Sequence, residues 1–203
     1  MKAIDKTIQT YDKIAGNFSE SHFDPIFWRK EFETFRKLTK GKKMIEIGCG
    51  AGRDAVLFVK DGFDYLGTDA SIGMLEQAKR RVKNGKFLLK SFYDLDFPDC
   101  TFDCFWAAAS LLHVPKVKID DVLNGIKRII RVEGIGFISI KEKGSLDEGI
   151  IKENKFGGIE RFFAFYTRDE FKAILNKNGF EIISDHTLKE ENTNWLCYFV
   201  KKM

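Results

Sequence analysis

Apolar residues recur along the chain with two periods that alternate from residue 44 to the C-terminus. Short apolar runs predict strands, and segments with apolar residues three or four positions apart predict helices. The predicted strands are 44–47, 65–68, 87–89, 102–107, 135–140, 181–184 and 195–200. The predicted helices are 2–16, 25–39, 53–60, 71–82, 119–131 and 168–178, the second beginning at Asp24-Pro25.

Strands separated by helices imply a parallel sheet that is covered by helices on both faces. The last two strands are joined only by residues 185–194, so the final strand is predicted to run antiparallel. The predicted fold class is α/β: a Rossmann-like three-layer sandwich with a seven-stranded, mostly parallel sheet whose last strand is antiparallel. The 203 residues are predicted to form one domain, with a helical N-terminal cap at 1–40.

Composition and charge exclude few classes of protein. The net charge is +4, and the basic residues are dispersed, so nucleic-acid binding is not supported. Four cysteines without CxxC spacing and three histidines predict no metal site, and the cysteines are interpreted as buried apolar residues of a reducing compartment. The N-terminal residues contain no apolar signal core and no run is long enough to span a membrane, so the cytoplasm is the expected compartment.

The stretch "EIGCGAGRD" indicates a ligand at a strand-to-helix turn. Gly48, Gly50 and Gly52 allow positive φ and a close approach of the backbone, and free N–H groups of the next helix face the same crevice. A dinucleotide fingerprint would need a third glycine at position 53, which is Arg53. Asp69 ends the second predicted strand, where a carboxylate can accept hydrogen bonds from both hydroxyls of a ribose.

Five motifs in order resemble the class I S-adenosylmethionine-dependent methyltransferases, over most of the chain from Tyr11 onward. They are "YDKIAGNFSES", "MIEIGCGAGRD", "LGTDASIGMLEQAKRR", "FDCFWAAASLLHV" and "RFFAFYTRDEF". The resemblance implies S-adenosylmethionine as cofactor and S-adenosylhomocysteine as product. It also implies a cofactor-binding half at 41–140 and a substrate-side half at 141–203.

The resemblance implies specific roles in cofactor binding for residues of this sequence. The glycine loop would meet the methionyl part, Asp69 the ribose, and small residues after the fourth strand would lie under the sulfonium. Ser91 stands where many relatives have an acid for the adenine amino group, which leaves that contact less defined than the ribose contact. The cofactor-binding residues implied are Tyr11, Gly48, Cys49, Gly50, Gly52, Arg53, Asp69, Ala70, Met74, Ser91, Phe92, Ala107 and Ala108.

For several of these residues a purely structural role is an alternative to cofactor binding. Tyr11 is equally a packing residue of an amphipathic helix, Met74 is nearly as readily a core residue, and Arg53 can pair with Asp54 or Glu46 instead of a ligand.

The acceptor side is predicted between the fourth strand and the insertion at 141–166. His113 is a candidate catalytic base, because it is the one group in its strand-to-helix connection that titrates near neutrality, although a structural histidine fits equally well. The predicted substrate-pocket residues are Tyr11, His113, Arg161, Phe162, Phe163 and Tyr166.

Transfer of a methyl group to a small-molecule acceptor is the function expected from these features, and no metal is predicted. The [DN]-P-P-[YFW] motif of base N-methyltransferases, a Pro-Cys nucleophile and a magnesium-binding acid pair are all missing after the fourth strand. A tRNA or protein methyltransferase and a catalytically silent cofactor-binding module stay open as alternatives. A nicotinamide-dependent oxidoreductase is disfavoured by Arg53. The acceptor and the oligomeric state are not predicted.

Overall fold

The computed structural model describes residues 2–190 and 193–203. Helices and strands alternate through most of it, as the apolar periodicity predicts. The helices are α1 (Lys2–Ser21), α2 (Arg29–Leu38), α3 (Ala55–Lys60), α4 (Ile72–Arg81), α5 (Ile119–Ile129) and α6 (Arg168–Lys177). The strands are β1 (Lys43–Ile47), β2 (Asp64–Asp69), β3 (Lys86–Leu89), β4 (Phe102–Ala108), β5 (Ile130–Lys141), β6 (Glu148–Glu153), β7 (Ile159–Ala164), β8 (Phe180–Glu190) and β9 (Thr193–Lys202).

Seven of these strands form one sheet in the order β3-β2-β1-β4-β5-β9-β8. The pairs from β3 to β5 are parallel, whereas β9 lies antiparallel between β5 and β8. The predicted fold class, including the antiparallel last strand, is therefore confirmed. The strand order reverses at β1 and β4, which is where parallel α/β sheets open a crevice for ligands.

Several predicted helix boundaries are wrong. The first helix runs to Ser21 rather than ending at residue 16, and the third begins at Ala55 rather than at residue 53. The second helix begins at Arg29 rather than at residue 25, because Asp24 accepts a hydrogen bond from the backbone N–H of Ile26 at 3.0 Å and holds a turn there instead. The helix predicted to reach Arg131 ends at Ile129, because Ile130 already pairs with Phe102 in the sheet.

The insertion after β5 forms an antiparallel hairpin of its own, β6–β7. The sequence analysis predicts a pocket wall here but not the two strands. Burial along β6 shows no strict alternation, so the period-2 signal of a half-buried strand is weak. The division of the chain into a cofactor half and a substrate half stays a prediction.

Each face of the seven-stranded sheet carries an apolar core. On one face Phe171 of α6 and Ile126 of α5 are fully buried against the sheet. On the other, Phe35 of α2 packs edge-on against Trp106 of β4, with ring centroids 5.3 Å apart. Aromatic pairs of this geometry stabilise a core by about 0.5–1.5 kcal/mol beyond the area they bury. These two cores fix the strand ends that carry the site.

Helix α1 bridges α4 and the β6–β7 hairpin, and so covers the crevice. Thr7 accepts a hydrogen bond from the backbone N–H of Phe162 at 2.9 Å, and Asp12 accepts from the Ser71 hydroxyl at 2.6 Å and from the Gly73 N–H at 2.9 Å. The described helices include none that is long and apolar enough to cross a membrane.

Candidate ligand-binding site

A cavity of about 580 Å³ opens at the carboxyl ends of β1, β2 and β4 and extends under α1 to the hairpin. Small-molecule sites typically have about 300–1,000 Å³. Its wall includes Tyr11, Gly48, Cys49, Gly50, Arg53, Asp69, Ala70, Met74, Ser91, Phe92, Ala108, His113, Arg161 and Phe163. The fold therefore brings together most of the predicted site residues, although their roles are not tested by their positions.

The glycine loop after β1 has the backbone conformation that the sequence indicates. Gly48, Gly50 and Gly52 have φ values of 73°, 52° and 76°, which side chains disfavour. A Cβ at Gly48 would lie 2.4 Å from Cβ of Ser110, and a Cβ at Gly52 would lie 3.1 Å from the backbone of Ala78. Gly48 therefore lets the loop pack closely against Ser110, whereas Gly52 does not line the cavity and lets α4 pack against the loop.

Asp69 joins the glycine loop to the start of α4. Its carboxylate accepts hydrogen bonds from the backbone N–H of Gly50 at 2.8 Å and of Ser71 at 2.9 Å. Burial raises the pKa of Asp69, and these two N–H donors act in the opposite direction. Each carboxylate oxygen uses one of its lone-pair sites on these bonds, so both can accept further hydrogen bonds from a ligand.

A buried acidic pair lies behind the loop. The hydroxyl of Tyr65 donates to Glu46, which is 3% exposed, and burial together with nearby Asp54 raises the pKa of Glu46 well above its ordinary value. Asp54 accepts from Nε and Nη2 of Arg53 at 2.6 and 3.0 Å, and from the indole N–H of Trp106 at 3.0 Å. Arg53 is thus committed to Asp54, one of the two partners that the sequence analysis leaves open.

The opposite side of the crevice is formed by the residues after β2 and β3. Ala70 and Met74 lie at the start of α4, with Ser71 as its N-cap accepting from the Met74 N–H at 3.1 Å. Ser91 and Phe92 follow β3 directly. After β4, Ala108 lines the cavity, whereas Ala107 is fully buried on the other side of the strand and does not.

Tyr11, His113 and Arg161 form one hydrogen-bonded network in the far half of the cavity. Nη1 of Arg161 lies 2.7 Å from the Tyr11 oxygen, which lies 2.9 Å from Nε2 of His113; Nδ1 of His113 lies 2.6 Å from the carbonyl oxygen of Phe162. The carbonyl can only accept, so in neutral His113 the proton is on Nδ1 and Nε2 accepts from Tyr11. Arg161 can only donate, so the Tyr11 oxygen accepts from it.

Burial lowers the pKa of His113 to about 3, and nearby Arg161 and Lys141 act in the same direction. Burial also raises the pKa of Tyr11. His113 is therefore a neutral group whose accepting nitrogen is already used. This geometry does not fit the general base that the sequence analysis considers for it.

Two predicted pocket residues, Phe162 and Tyr166, do not line the cavity. Phe162 and Phe163 are neighbours on β7, so their side chains point to opposite faces. Phe163 faces the cavity, whereas Phe162 packs into the core and contributes only its backbone carbonyl. Tyr166 is also completely buried in that core, beyond the end of the strand.

Trp28 and Ser110 line the cavity and are missed by the sequence analysis. The indole Nε1 of Trp28 and the hydroxyl of Ser110 are buried, and neither has a hydrogen-bond partner among the described residues. A buried donor without a partner costs about 1–3 kcal/mol, so such atoms on a cavity wall point to a ligand. Neither residue titrates, and no spacing in the sequence marks them.

Cys49 lines this cavity, whereas the other three cysteines and a candidate metal-binding set do not. Cys49, Cys104 and Cys197 are buried as expected, but Cys100 is exposed in a turn with φ of 53°, which corrects the prediction for that residue. Cys197 lies within 4.8 Å of the ligand atoms of Glu31 and His186, a set that could hold a metal ion. Sequence spacing hides this set because it joins α2, β8 and β9; His186 Nε2 and Glu31 are hydrogen-bonded at 2.8 Å.

Comparison with known protein families gives a match to a model described as "Methyltransferase domain" over residues 44–134. This range runs from β1 into β5 and contains the glycine loop, Asp69 and His113.

Relatives with curated names are similar over much of the chain. Methyltransferase GfsG of Streptomyces halstedii is 27% identical over 169 residues, which are 76% of this chain and 58% of that protein. Demethylmenaquinone methyltransferase of Symbiobacterium thermophilum is 29% identical over 143 residues, 64% of this chain and 54% of that protein. The chain thus spans little more than half the length of these relatives.

A solved structure has a closely similar fold. It is 1,6-didemethyltoxoflavin-N1-methyltransferase of Burkholderia thailandensis, with bound 1,6-didemethyltoxoflavin and S-adenosylhomocysteine. The TM-score is 0.77 at 16% identity, and the match covers 100% of this chain and 88% of that one.

Proposed function

We propose that this chain, which belongs to the class I S-adenosylmethionine-dependent methyltransferases, binds S-adenosylmethionine and transfers its methyl group to a small-molecule acceptor. The observation that carries the proposal is the joint placement of Asp69 and the glycine loop at one end of a closed cavity. The size of that cavity and the methylation of small molecules named for its relatives support a small acceptor.

The cavity fits the cofactor at three points. Asp69 has lone pairs free for both ribose hydroxyls, and its carboxylate would disfavour a 2′-phosphate. Nothing lies within 4 Å of where a Cβ at Gly50 would stand, so the loop leaves room for a ligand beside its backbone. The unpartnered Nε1 of Trp28 supplies a donor beside Arg53, whose guanidinium carbon lies 6.0 Å from the Trp28 ring.

These three points support one orientation of the cofactor in the cavity. Asp69 would hold the ribose; Ala70, Met74, Ser91 and Phe92 would surround the adenine, with the Ser91 hydroxyl as its polar contact. The loop N–H groups and Trp28 would hold the methionyl end, together with the Arg53 donors that Asp54 does not use. Ala108 and Ser110 would then lie closest to the sulfur.

The bound cofactor supplies a methyl group on a positively charged sulfur, which is a good leaving group. The chain's own contribution is to bind and orient both partners and to exclude water. Alignment of this kind can account for at most about 7–11 kcal/mol of a barrier. Helix α1 serves this purpose, because Tyr11 and Thr7 tie it to the hairpin across the cavity.

Thermal or chemical unfolding with S-adenosylhomocysteine and, separately, with NAD tests the cofactor. A specific ligand at 100 times its dissociation constant stabilises a fold by about 2.7 kcal/mol. We expect that gain with S-adenosylhomocysteine and none with NAD. Stabilisation by NAD alone would overturn the proposal.

Substitution Asp69→Ala tests the site itself. It removes two hydrogen bonds to a charged group, worth about 1.5–3 kcal/mol each, so affinity for S-adenosylhomocysteine should fall by about 100-fold or more. The matched control is Asp99→Ala, since Asp99 is exposed and paired with Arg128 at the surface. Equal affinity in the two variants would remove Asp69 from its role, and unfolding without ligand separates binding from loss of fold.

A further inference from the structure

The half of the cavity beyond the glycine loop is lined by aromatic rings around a buried guanidinium. Arg161 is 8% exposed, and its guanidinium carbon lies 5.2 Å from the centroid of the Tyr11 ring, 5.9 Å from that of Phe18 and 5.1 Å from that of Phe163. Trp195 also lines this half. Flat aromatic walls make their best contacts with a flat ligand.

Arg161 has hydrogen-bonding capacity left over. A guanidinium has five N–H donors; Glu153 accepts from Nε at 2.9 Å and also from Nη2, and Tyr11 accepts from Nη1. Three of the five donors are used, which leaves two among the described contacts. Donors of a desolvated cation bind oxygen anions most strongly, because both charge and geometry match.

A second cation and two acids also lie among the described residues of this half. Nζ of Lys141 lies 4.7 Å from the Phe163 ring centroid and 5.6 Å from that of Trp195. Glu153 is bound to Arg161, and exposed Glu190 lines the cavity where β8 ends.

Neither the imidazole of His113 nor the phenol of Tyr11 is free to accept a proton. Nε2 of His113 accepts from Tyr11, and the Tyr11 oxygen accepts from Arg161. A hydroxyl acceptor that arrives protonated would need a base to remove its proton during the reaction. An acceptor that arrives ionised needs none, and its charge matches Arg161.

We propose, resting on the proposed function, that the acceptor is a planar aromatic compound whose methyl-accepting oxygen is ionised near neutral pH, and that Arg161 selects it. Acidic phenols and conjugated enols form this class. The oxygen anion forms the new O–CH3 bond while the S–CH3 bond breaks and its electron pair returns to sulfur. No proton is transferred, so the step balances without a base.

The test uses binding rather than turnover, with 7-hydroxycoumarin as the probe. The neutral and ionised forms of this phenol absorb at different wavelengths, so absorbance reports which form is bound to protein saturated with S-adenosylhomocysteine. We expect the pKa of the bound probe to fall by at least about one unit, which is a tenfold preference for the anion. Coumarin, which has no hydroxyl group, is the uncharged comparison and should bind at least tenfold more weakly than the ionised probe.

Substitutions at Arg161 and at Glu153 should shift the preference for the ionised probe in opposite directions. Arg161→Gln should abolish it, and Arg161→Lys should restore part of it. Glu153→Gln should enlarge it, because it removes the carboxylate that now neutralises Arg161. If the ion pair of Arg161 and Glu153 were merely structural, Arg161→Gln and Glu153→Gln would weaken binding of the probe alike. Arg131→Gln is the matched control, since Arg131 is an exposed arginine paired with Asp103 outside the cavity.

Failures of the two proposals are distinguishable. If S-adenosylhomocysteine does not stabilise the protein, the proposed function fails whatever the probe does. If it does stabilise, then a probe that fails to bind at millimolar concentration overturns the inference alone. So does an unchanged or raised pKa of the bound probe, or a preference that survives Arg161→Gln in a variant that still binds S-adenosylhomocysteine normally.

Discussion

Mild acid should destabilise the fold through His113. In an unfolded chain a histidine has a pKa of about 6.5, whereas burial lowers the pKa of His113 in the fold to about 3. Between these values the unfolded state binds one more proton than the folded state, so stability falls as pH decreases below about 6.5 and levels off near 3. At about pH 5 the loss is 1.5 pH units at 1.36 kcal/mol each, or about 2 kcal/mol.

Urea unfolding of the wild type and of His113→Gln at about pH 7.5 and about pH 5 measures this term. The glutamine can accept from Tyr11 but does not titrate. The comparison must be a double difference, because burial raises the pKa of Glu46 and Asp69 and these carboxyls act with the opposite sign. We expect the wild type to lose about 2 kcal/mol more than the variant on acidification.

The size of the effect depends little on the folded pKa, provided that it lies below about 4. Parallel losses in the two proteins would refute the reasoning. An NMR titration in which the imidazole of His113 changes protonation near pH 6.5 would refute the reasoning directly.

Two further predictions concern single hydrogen bonds. Trp28→Phe should weaken S-adenosylhomocysteine binding by about 3–30-fold, because it removes a hydrogen bond worth roughly 1–2 kcal/mol. Binding of 5′-methylthioadenosine, which lacks the amino-acid end, should be unchanged. Equal losses for both ligands in calorimetry would contradict the methionyl role of Trp28. Thr167→Ala should destabilise the protein by about 1 kcal/mol in urea unfolding, because Thr167 and Glu170 form a capping box at the start of α6. The comparison is Thr101→Ala, at a half-buried threonine outside any helix whose hydroxyl donates to the Pro98 carbonyl. An equal loss there would count against the cap.

The centre of the sheet could be predicted from the sequence because its central strands are buried on both faces. Buried parallel strands are continuous apolar runs, and β4 and β5 are almost wholly buried over residues 104–108 and 135–140. The β6–β7 hairpin could not be predicted in the same way, because no residue of β6 is fully buried and only one strand of the pair is strongly apolar. Local capping signals succeeded at Ser71 and Thr167 and failed at Asp24, where the same side-chain chemistry closes a turn.

The cofactor half of the site could be predicted because its parts are close in sequence. Asp69 follows Gly48 by 21 residues, one strand-helix-strand unit, so its position at the sheet edge follows from the pattern. The far half depends on contacts between distant segments: Tyr11 is 102 residues from His113 and 150 from Arg161. The sequence predicts these three residues for the pocket but not that they would bind each other.

That mutual binding changes what His113 can do, and only the fold reveals it. A histidine between a strand and a helix suggests a base as long as its partners are unknown. Once one nitrogen faces a backbone carbonyl and the other a phenol, the imidazole is fixed in one tautomer and becomes a support for Tyr11. Trp28 and Ser110 show the complementary case: they carry no titratable group, yet they are the donors that the fold leaves without partners on the cavity wall. Hydrogen bonds already made and hydrogen bonds still missing are therefore better guides to this site than the ionisable residues alone.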